Sequence, residues 1–161
     1  MVIVQTKIQI NAPLELCFDM ARDIDLHTKT VWKHTGEIAI AGRMSGRIEA
    51  DEQVTFEATH FLVRQRLTSR IIEFNKPYVF VDQMVSGAFK SLNHRHEFTA
   101  IDNHTLMMDE LKFEAPYGLL GKAAEALILK RYMRNFLLHR NLQLKTLAEE
   151  IHVRTQSNSK P

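Results

Sequence analysis

The chain has 161 residues, 45% hydrophobic and 25% charged, a composition typical of one soluble globular domain. Its 21 basic and 19 acidic residues leave a formal charge of only +2, which argues against a nucleic-acid-binding protein. Proteins of that class concentrate basic residues on one face, whereas the basic residues of this chain are nearly matched in number by acidic ones. The single cysteine, Cys17, excludes an internal disulfide, and its apolar neighbours Leu16 and Phe18 indicate a buried thiol.

The first residues, MVIVQTKIQI, lack the basic and apolar regions of a signal peptide. No apolar run approaches the roughly 18 residues of a membrane-spanning helix. We therefore expect a cytoplasmic protein that is not stably inserted in a membrane.

The first predicted elements are a strand and two short helices. Alternating apolar residues over 2–10 predict the strand. Pro13 suits the first turn of a helix, because its missing N–H is not needed there, and Leu14, Phe18 and Ala21 give that helix an apolar stripe. A second short helix is predicted over residues 24–31.

From Thr35 to Ala115 the pattern changes to period two, which predicts a run of strands. The predicted strands cover residues 36–41, 53–60, 62–74, 78–86, 91–101 and 104–115. Turn residues separate these segments. Asp102 and Asn103 suit a two-residue hairpin turn, because both residues tolerate positive φ.

A long helix is predicted after Pro116. From about Leu119 to Glu150 the segment contains no proline, one glycine (Gly121), and many good helix formers. A helix of about 30 residues is about 45 Å long, which a small flat sheet cannot cover and a strongly curved antiparallel sheet can. We expect a single domain over residues 1–150, with a pocket between sheet and helix, and a flexible polar tail over residues 151–161.

The hairpins predict which side chains of the sheet face inward. A turn at Asp102 and Asn103 pairs His96 with Asp109, and side chains then alternate between the two faces. A four-residue loop over residues 87–90 pairs Gln83 with His94, so Gln83 is expected on the same face. The apolar residues expected on this inner face are Val79, Val81, Val85, Leu92, Phe98, Met107, Leu111 and Phe113. The outer face is expected to carry Asp82, Lys90, Asn93, Arg95, Glu97 and Lys112.

Four polar residues, Gln83, His94, His96 and Asp109, interrupt this apolar face. Burying them unpaired would cost about 1–3 kcal/mol each, so they should bond one another, water or a ligand. One interpretation is a self-satisfied network in which Asp109 accepts from His96. Three others are a polar anchor for a ligand, a metal site with ligands His94, His96 and Asp109, and acid–base catalysis by His96.

Several short motifs follow one another in a characteristic order. Ala-Pro, ending at Pro13, follows the first strand. D-x-x-x-x-G-x-F begins at Asp82, H-x-H-x-F begins at His94, and P-Y-G-x-L-G begins at Pro116. Over about residues 2–150 the chain resembles the SRPBCC superfamily, also called START or Bet v 1-like helix-grip proteins. The similarity is greatest to a bacterial subgroup described as cyclase/dehydrase-like or cell-division proteins, many of which have Trp where this chain has Leu92.

The resemblance implies an α+β helix-grip fold. In that fold a curved antiparallel sheet of about seven strands surrounds a long C-terminal helix, and two short helices follow the first strand. The resemblance also implies a domain that binds a hydrophobic ligand. It transfers no catalytic mechanism, since relatives range from lipid carriers to polyketide cyclases.

The leading hypothesis is binding of an apolar small molecule, such as a lipid, isoprenoid or polyketide, without catalysis, cofactor or metal. The pocket is expected to be lined by Phe56, Val81, Gln83, Leu92, His94, His96, Phe98, Asp109 and Leu111, and by Leu120, Ala124 and Leu127 of the long helix. One alternative is a cyclase, dehydratase or aromatase in which His96, oriented by Asp109, moves a proton at a bound carbonyl compound. Another is a partner-binding domain linked to cell division. Ligand identity and oligomeric state stay open.

Overall fold

The computed structural model describes residues 1–115 and 128–158. The strands, in chain order, are β1 Val2–Ile10, β2 Ile38–Gly42, β3 Gln53–His60, β4 Val63–Asn75, β5 Val79–Ser86, β6 Ser91–Ile101 and β7 His104–Glu114. The helices are α1 Leu14–Ala21, α2 Ile24–Thr30 and α3 Lys130–Asn158, with a 3₁₀ helix at Lys33–Thr35. The seven strands form one sheet in the order β1-β7-β6-β5-β4-β3-β2, in which every neighbouring pair is antiparallel.

The expected fold class is confirmed. A curved antiparallel sheet, two short helices after β1 and a long C-terminal helix are all present. Each predicted strand begins and ends within two residues of the observed one. Period-two patterning located the strands because one face of this sheet is buried along most of its length.

Helix α1 is held on the sheet by Phe18. The ring of Phe18 has no exposed surface and meets those of Phe74, Phe80 and Phe98 edge-on, at centroid distances of 5.6, 5.6 and 5.5 Å. Edge-to-face packing of this kind adds to the stabilisation from buried area. Cys17, next to Phe18, is buried as expected, and burial raises the pKa of its thiol.

Helix α3 packs against β1, α1 and α2. Leu137 joins the apolar cluster on β1, β6 and β7, whereas Leu144 and Ala148 join the cluster around Phe18. The helix continues to Asn158, eight residues beyond the domain end expected at residue 150. No proline or glycine interrupts α3, and a formed helix adds residues at little cost.

The register predicted for β6 and β7 is confirmed. His96 pairs with Asp109, His94 with Leu111 and Ile101 with His104. The turn between the strands is the predicted one, and Asp102 adopts φ +52°. A two-residue turn fixes the register, because any other pairing would change the loop length.

The register predicted for β5 and β6 is wrong by one residue. Asp82, not Gln83, pairs with His94, and the last pair toward the loop is Gln83 with Asn93. The two strands part before the connection, which is therefore longer than the expected four residues and does not set the register. A slip of one residue exchanges the two faces of a strand.

This slip changes the expected inner face of β5. Val79 and Val81 pair with Glu97 and Arg95, on the face opposite to the histidines. Gln83 and Val85 are exposed, so their expected inward position is wrong. The inward polar residue of β5 is Asp82, which the sequence had placed outside.

Among the described residues, no helix combines the length and apolar character that crossing a membrane requires.

Candidate functional site

A cavity of about 340 Å³ lies between the sheet and helices α2 and α3. Most of its wall is apolar, and side chains from β3, β4, β6, β7 and α3 contribute to it. Representative members of this wall are Phe56, Ile71, Leu92, Leu111, Phe136 and Leu137. Small-molecule sites in proteins are usually clefts or cavities of roughly 300–1,000 Å³ that are mainly apolar with a few placed polar groups.

The structure brings together part of the predicted pocket. The predicted residues that line the cavity are Phe56, Leu92, His94, His96 and Leu111. Phe98 is instead buried against Phe18 and Phe80, away from the cavity. Asp109 lies behind the histidines, and Val81 and Gln83 occupy the opposite face. The remaining predicted residues, Leu120, Ala124 and Leu127, lie outside the described residues.

Two histidines and two aspartates meet on the sheet wall of the cavity. Asp109 Oδ1 lies 2.6 Å from His96 Nδ1 and 3.4 Å from His94 Nε2, close enough for an ion pair with either ring when it is protonated. On the cavity side, Asp82 Oδ1 lies 3.3 Å from His96 Nε2 and 3.9 Å from His94 Nδ1. The imidazole rings are 3.8 Å apart, so each stands between the two carboxylates.

Asp109 is fixed by groups from two other elements. Asn141 of α3 donates from Nδ2 to Asp109 Oδ2 at 2.5 Å. Thr6, which pairs with Asp109 across β1 and β7, has its hydroxyl 3.5 Å from the same oxygen and 3.0 Å from Asn141 Nδ2. The carboxylate is fully buried, and a buried carboxylate requires such partners.

The pKa values of the two histidines in this cluster are shifted in opposite directions. Burial alone would raise the pKa of Asp109, but the charge of His96 and the contact with His94 hold it well below its usual value. Burial would lower the pKa of His96, but the Asp109 charge raises it. Burial and the charge of His96 lower the pKa of His94. The arrangement favours an imidazolium at His96 and a neutral ring at His94.

A second polar group lies elsewhere on the cavity wall. His27 Nε2 is 2.7 Å from Glu37 Oε1, and His60 Nδ1 is 2.8 Å from the hydroxyl of Tyr132. Burial would raise the pKa of Glu37, but the bond from His27 lowers it. Sequence reasoning missed these residues, because they come from four separate segments and carry no common motif.

Arg140 is the cationic side chain that α3 contributes to the cavity wall. It is 4% exposed and donates from Nη2 to the carbonyl of Ala21 at 2.9 Å. Its Nε and Nη1 have no hydrogen-bond partner among the described residues. The sequence did contain a signal for this residue. Arg140 stands four residues after Phe136 and four before Leu144, within the apolar stripe of the helix.

No protein-family model and no curated protein matches the chain. Solved structures do. A protein of Thermus thermophilus is 16% identical with a TM-score of 0.71, over 99% of this chain and 100% of its own. A START superfamily protein of Mycobacterium smegmatis is 14% identical with a TM-score of 0.71, over 92% of this chain and 98% of its own. The major latex-like protein 151 of Panax ginseng is 11% identical with a TM-score of 0.67, over 91% of this chain and 97% of its own.

These likenesses extend over nearly the whole of each chain. At such low identities they concern the course of the backbone, and they agree with the element order and sheet topology described above. The chain therefore has the START and Bet v 1-like helix-grip fold.

Proposed function

We propose that this protein binds an apolar small molecule inside the cavity between the sheet and helix α3. The observation that carries the proposal is the cavity itself, about 340 Å³ and walled mainly by apolar side chains. Protein interiors are normally packed without voids of this size, and leaving one costs stability. A bound lipid, isoprenoid or polyketide would replace the missing contacts.

The proposed ligand carries an oxygen acceptor at one end. Arg140 presents two buried donor nitrogens that lack partners among the described residues. Leaving a buried donor unpaired costs about 1–3 kcal/mol, and more when the group is charged. A carboxylate, carbonyl or hydroxyl oxygen of the ligand would accept from these nitrogens, while its apolar body fills the rest of the cavity.

The second candidate function is acid–base catalysis by His96. His96 lines the cavity, and Asp109 lies behind its other nitrogen, as an orienting carboxylate does in a general acid or base. Binding without chemistry is the better-supported function, because His96 Nε2 already contacts Asp82 at 3.3 Å. A substrate would have to displace Asp82 from that nitrogen.

Titration with the fluorescent probe 1-anilinonaphthalene-8-sulfonate tests the binding proposal. Ala58 is buried and lines the cavity, so Ala58→Leu adds volume inside it. We expect this variant to bind the probe at least about tenfold more weakly than the native protein, a loss of about 1.4 kcal/mol. Ala100→Leu is the matched control, since Ala100 is exposed on β6.

Equal probe binding by the native protein and by a folded Ala58→Leu variant would exclude the cavity as the binding site. A separate experiment distinguishes the two candidate functions. Native mass spectrometry of protein purified from its host identifies any co-purified compound, which is then returned to the stripped protein. Turnover that disappears in His96→Gln supports catalysis, and recovery of the compound unchanged supports binding alone.

A further inference from the structure

We infer that Asp82, His94 and His96 form a site for a divalent transition-metal ion, Zn²⁺ in particular, on the sheet wall of the cavity. The inference is independent of the proposed function, because it rests on the positions of three side chains and not on the cavity volume. One carboxylate and two imidazoles are ligands that zinc commonly uses.

The spacing of the three candidate ligand atoms fits a small ion. Asp82 Oδ1 lies 3.3 Å from His96 Nε2 and 3.9 Å from His94 Nδ1, and the three residues offer ligand atoms that are all within 4.8 Å of one another. In a tetrahedral zinc site with bonds of about 2.0–2.1 Å, the ligand atoms are about 3.3–3.4 Å apart. Small rotations of the side chains would therefore be enough to enclose the ion.

Asp109 supplies the outer support that such a site needs. A histidine that binds a metal through one ring nitrogen usually presents the other to a carboxylate, which fixes the ring. Here Asp109 Oδ1 lies beside His96 Nδ1 and His94 Nε2, on the side away from Asp82. The sequence suggested Asp109 as a third ligand. The structure assigns that role to Asp82 and makes Asp109 a positioning residue.

The charge and location of the cluster also favour a cation. Asp82 and Asp109 bring two carboxylates to the same pair of histidines, and a divalent ion that displaces the proton of His96 on binding would balance both. The three candidate ligands line the cavity, whereas Asp109 does not. A tetrahedral ion bound by three protein ligands keeps one position open, and here that position would face the cavity. Two imidazoles disfavour Mg²⁺ and Ca²⁺, which prefer oxygen ligands.

Titration of the metal-free protein with Co²⁺ and Zn²⁺ tests the inference. We expect one ion per chain, with the intense visible absorption of four-coordinate Co²⁺. Asp82→Asn and His94→Gln should each weaken Zn²⁺ binding by more than about 100-fold, and Asp109→Asn by about 10–100-fold. The matched controls Asp51→Asn and His34→Gln change exposed groups outside the cavity and should bind as the native protein does.

X-ray absorption of the zinc-loaded native protein provides a readout that does not depend on any variant. Two imidazoles and oxygen in the first shell support the site. A shell without histidine, or affinity unchanged in Asp82→Asn and His94→Gln, would overturn the inference. Loss of probe binding in Ala58→Leu without loss of metal separates this site from the proposed ligand-binding function.

Discussion

Asp82 and Gln83 are neighbours in the chain, and a one-residue difference in register decides which of them faces the cavity. His94, His96 and Asp109 could be predicted to meet, because a two-residue turn fixes their strands. Asp82 could not, since nothing in the sequence shows where β5 separates from β6. Arg140 and Asn141 were missed for another reason. Helical periodicity places Arg140 within the apolar stripe of α3, but it does not show which side chains of the sheet that stripe faces.

Asp19 gives a prediction at the scale of single residues. Its side chain, 13% exposed, receives contacts from Arg22 at 2.8 Å, Arg47 at 2.8 Å and Lys76 at 3.2 Å. Burial would raise the pKa of Asp19, but the bonds from Arg22 and Lys76 outweigh burial and lower it. A carboxylate whose pKa is lower in the folded state stabilises the protein above its unfolded pKa. That stabilisation disappears as the pH falls through the folded pKa.

Asp19→Asn should therefore reduce the free energy of unfolding by roughly 1–3 kcal/mol at about pH 7. The difference from the native protein should shrink toward pH 3, approximately one unit below the ordinary pKa of aspartate. Urea unfolding at both pH values measures it. Asp51→Asn, at an exposed partner of Arg70, is the control and should change little at either pH. A loss that is the same at both pH values would show that the charge of Asp19 is not its cause.

At the scale of elements, strand positions were predictable and one strand pairing was not. The alternating pattern located each strand within two residues, because a strand with one buried face alternates apolar and polar side chains along the chain. Pairing depends on connections. The β6–β7 turn is short enough to fix the register of its two strands, whereas the β5–β6 connection is too long to do so. The C-terminal helix was also predicted, although its polar end extends further than expected, because helix propagation continues where no residue stops it.

Gly42 and Gly46 give a prediction for the end of β2 and the loop after it. Both have positive φ, +72° and +69°. A Cβ on Gly42 would lie 2.2 Å from the carbonyl oxygen of Gln53, whereas a Cβ on Gly46 would meet nothing within 4 Å. Gly46→Ala should therefore reduce the free energy of unfolding only by the cost of holding alanine in the left-handed conformation, about 1–2 kcal/mol. Gly42→Ala should cost about 1–3 kcal/mol more, because β2 and β3 must move apart.

Thermal or urea unfolding of the two variants measures the difference directly. Since both substitutions add the same methyl group at a similar φ, the conformational cost largely cancels between them. Equal destabilisation would mean that the contact with Gln53 is relieved without cost, and that β2 is not held against β3 at this point.

At the scale of the whole molecule, the order of motifs was enough to predict the fold. The cavity was expected in outline, but its residues were not fully predictable. Volume depends on how the side chains of α2, α3 and the sheet pack, and periodicity does not determine this. Glu37, His60 and Tyr132 illustrate the difficulty. They share the cavity wall although they are distant in sequence and belong to no common pattern.

Ligand binding should stabilise the whole molecule. A ligand that binds only the folded state at about 100 times its Kd adds about 2.7 kcal/mol to the free energy of unfolding. Dodecanoate has an apolar body and a carboxylate that could accept from Arg140. We expect it to raise the melting temperature of the native protein, with a smaller rise in Arg140→Leu and almost none in Ala58→Leu, by differential scanning calorimetry.

Ala100→Leu is again the control and should respond to dodecanoate as the native protein does. If Ala58→Leu were stabilised as strongly as the native protein, dodecanoate would be binding outside the cavity. If dodecanoate raised the melting temperature of Arg140→Leu as much as that of the native protein, its affinity would come from the apolar body and Arg140 would not contact it.

The two-residue turn at Asp102 and Asn103 has a consequence for how this chain tolerates insertions and deletions. One residue added to that turn could shift the β6–β7 pairing and carry one strand's side chains to the other face, separating the histidines from Asp109 although the turn lies outside the site. Residues 87–90, at the tip of the longer β5–β6 connection, differ, since β5 and β6 have already parted there. Changes in the length of this connection could be absorbed, so loop length should vary far more freely there than at the turn.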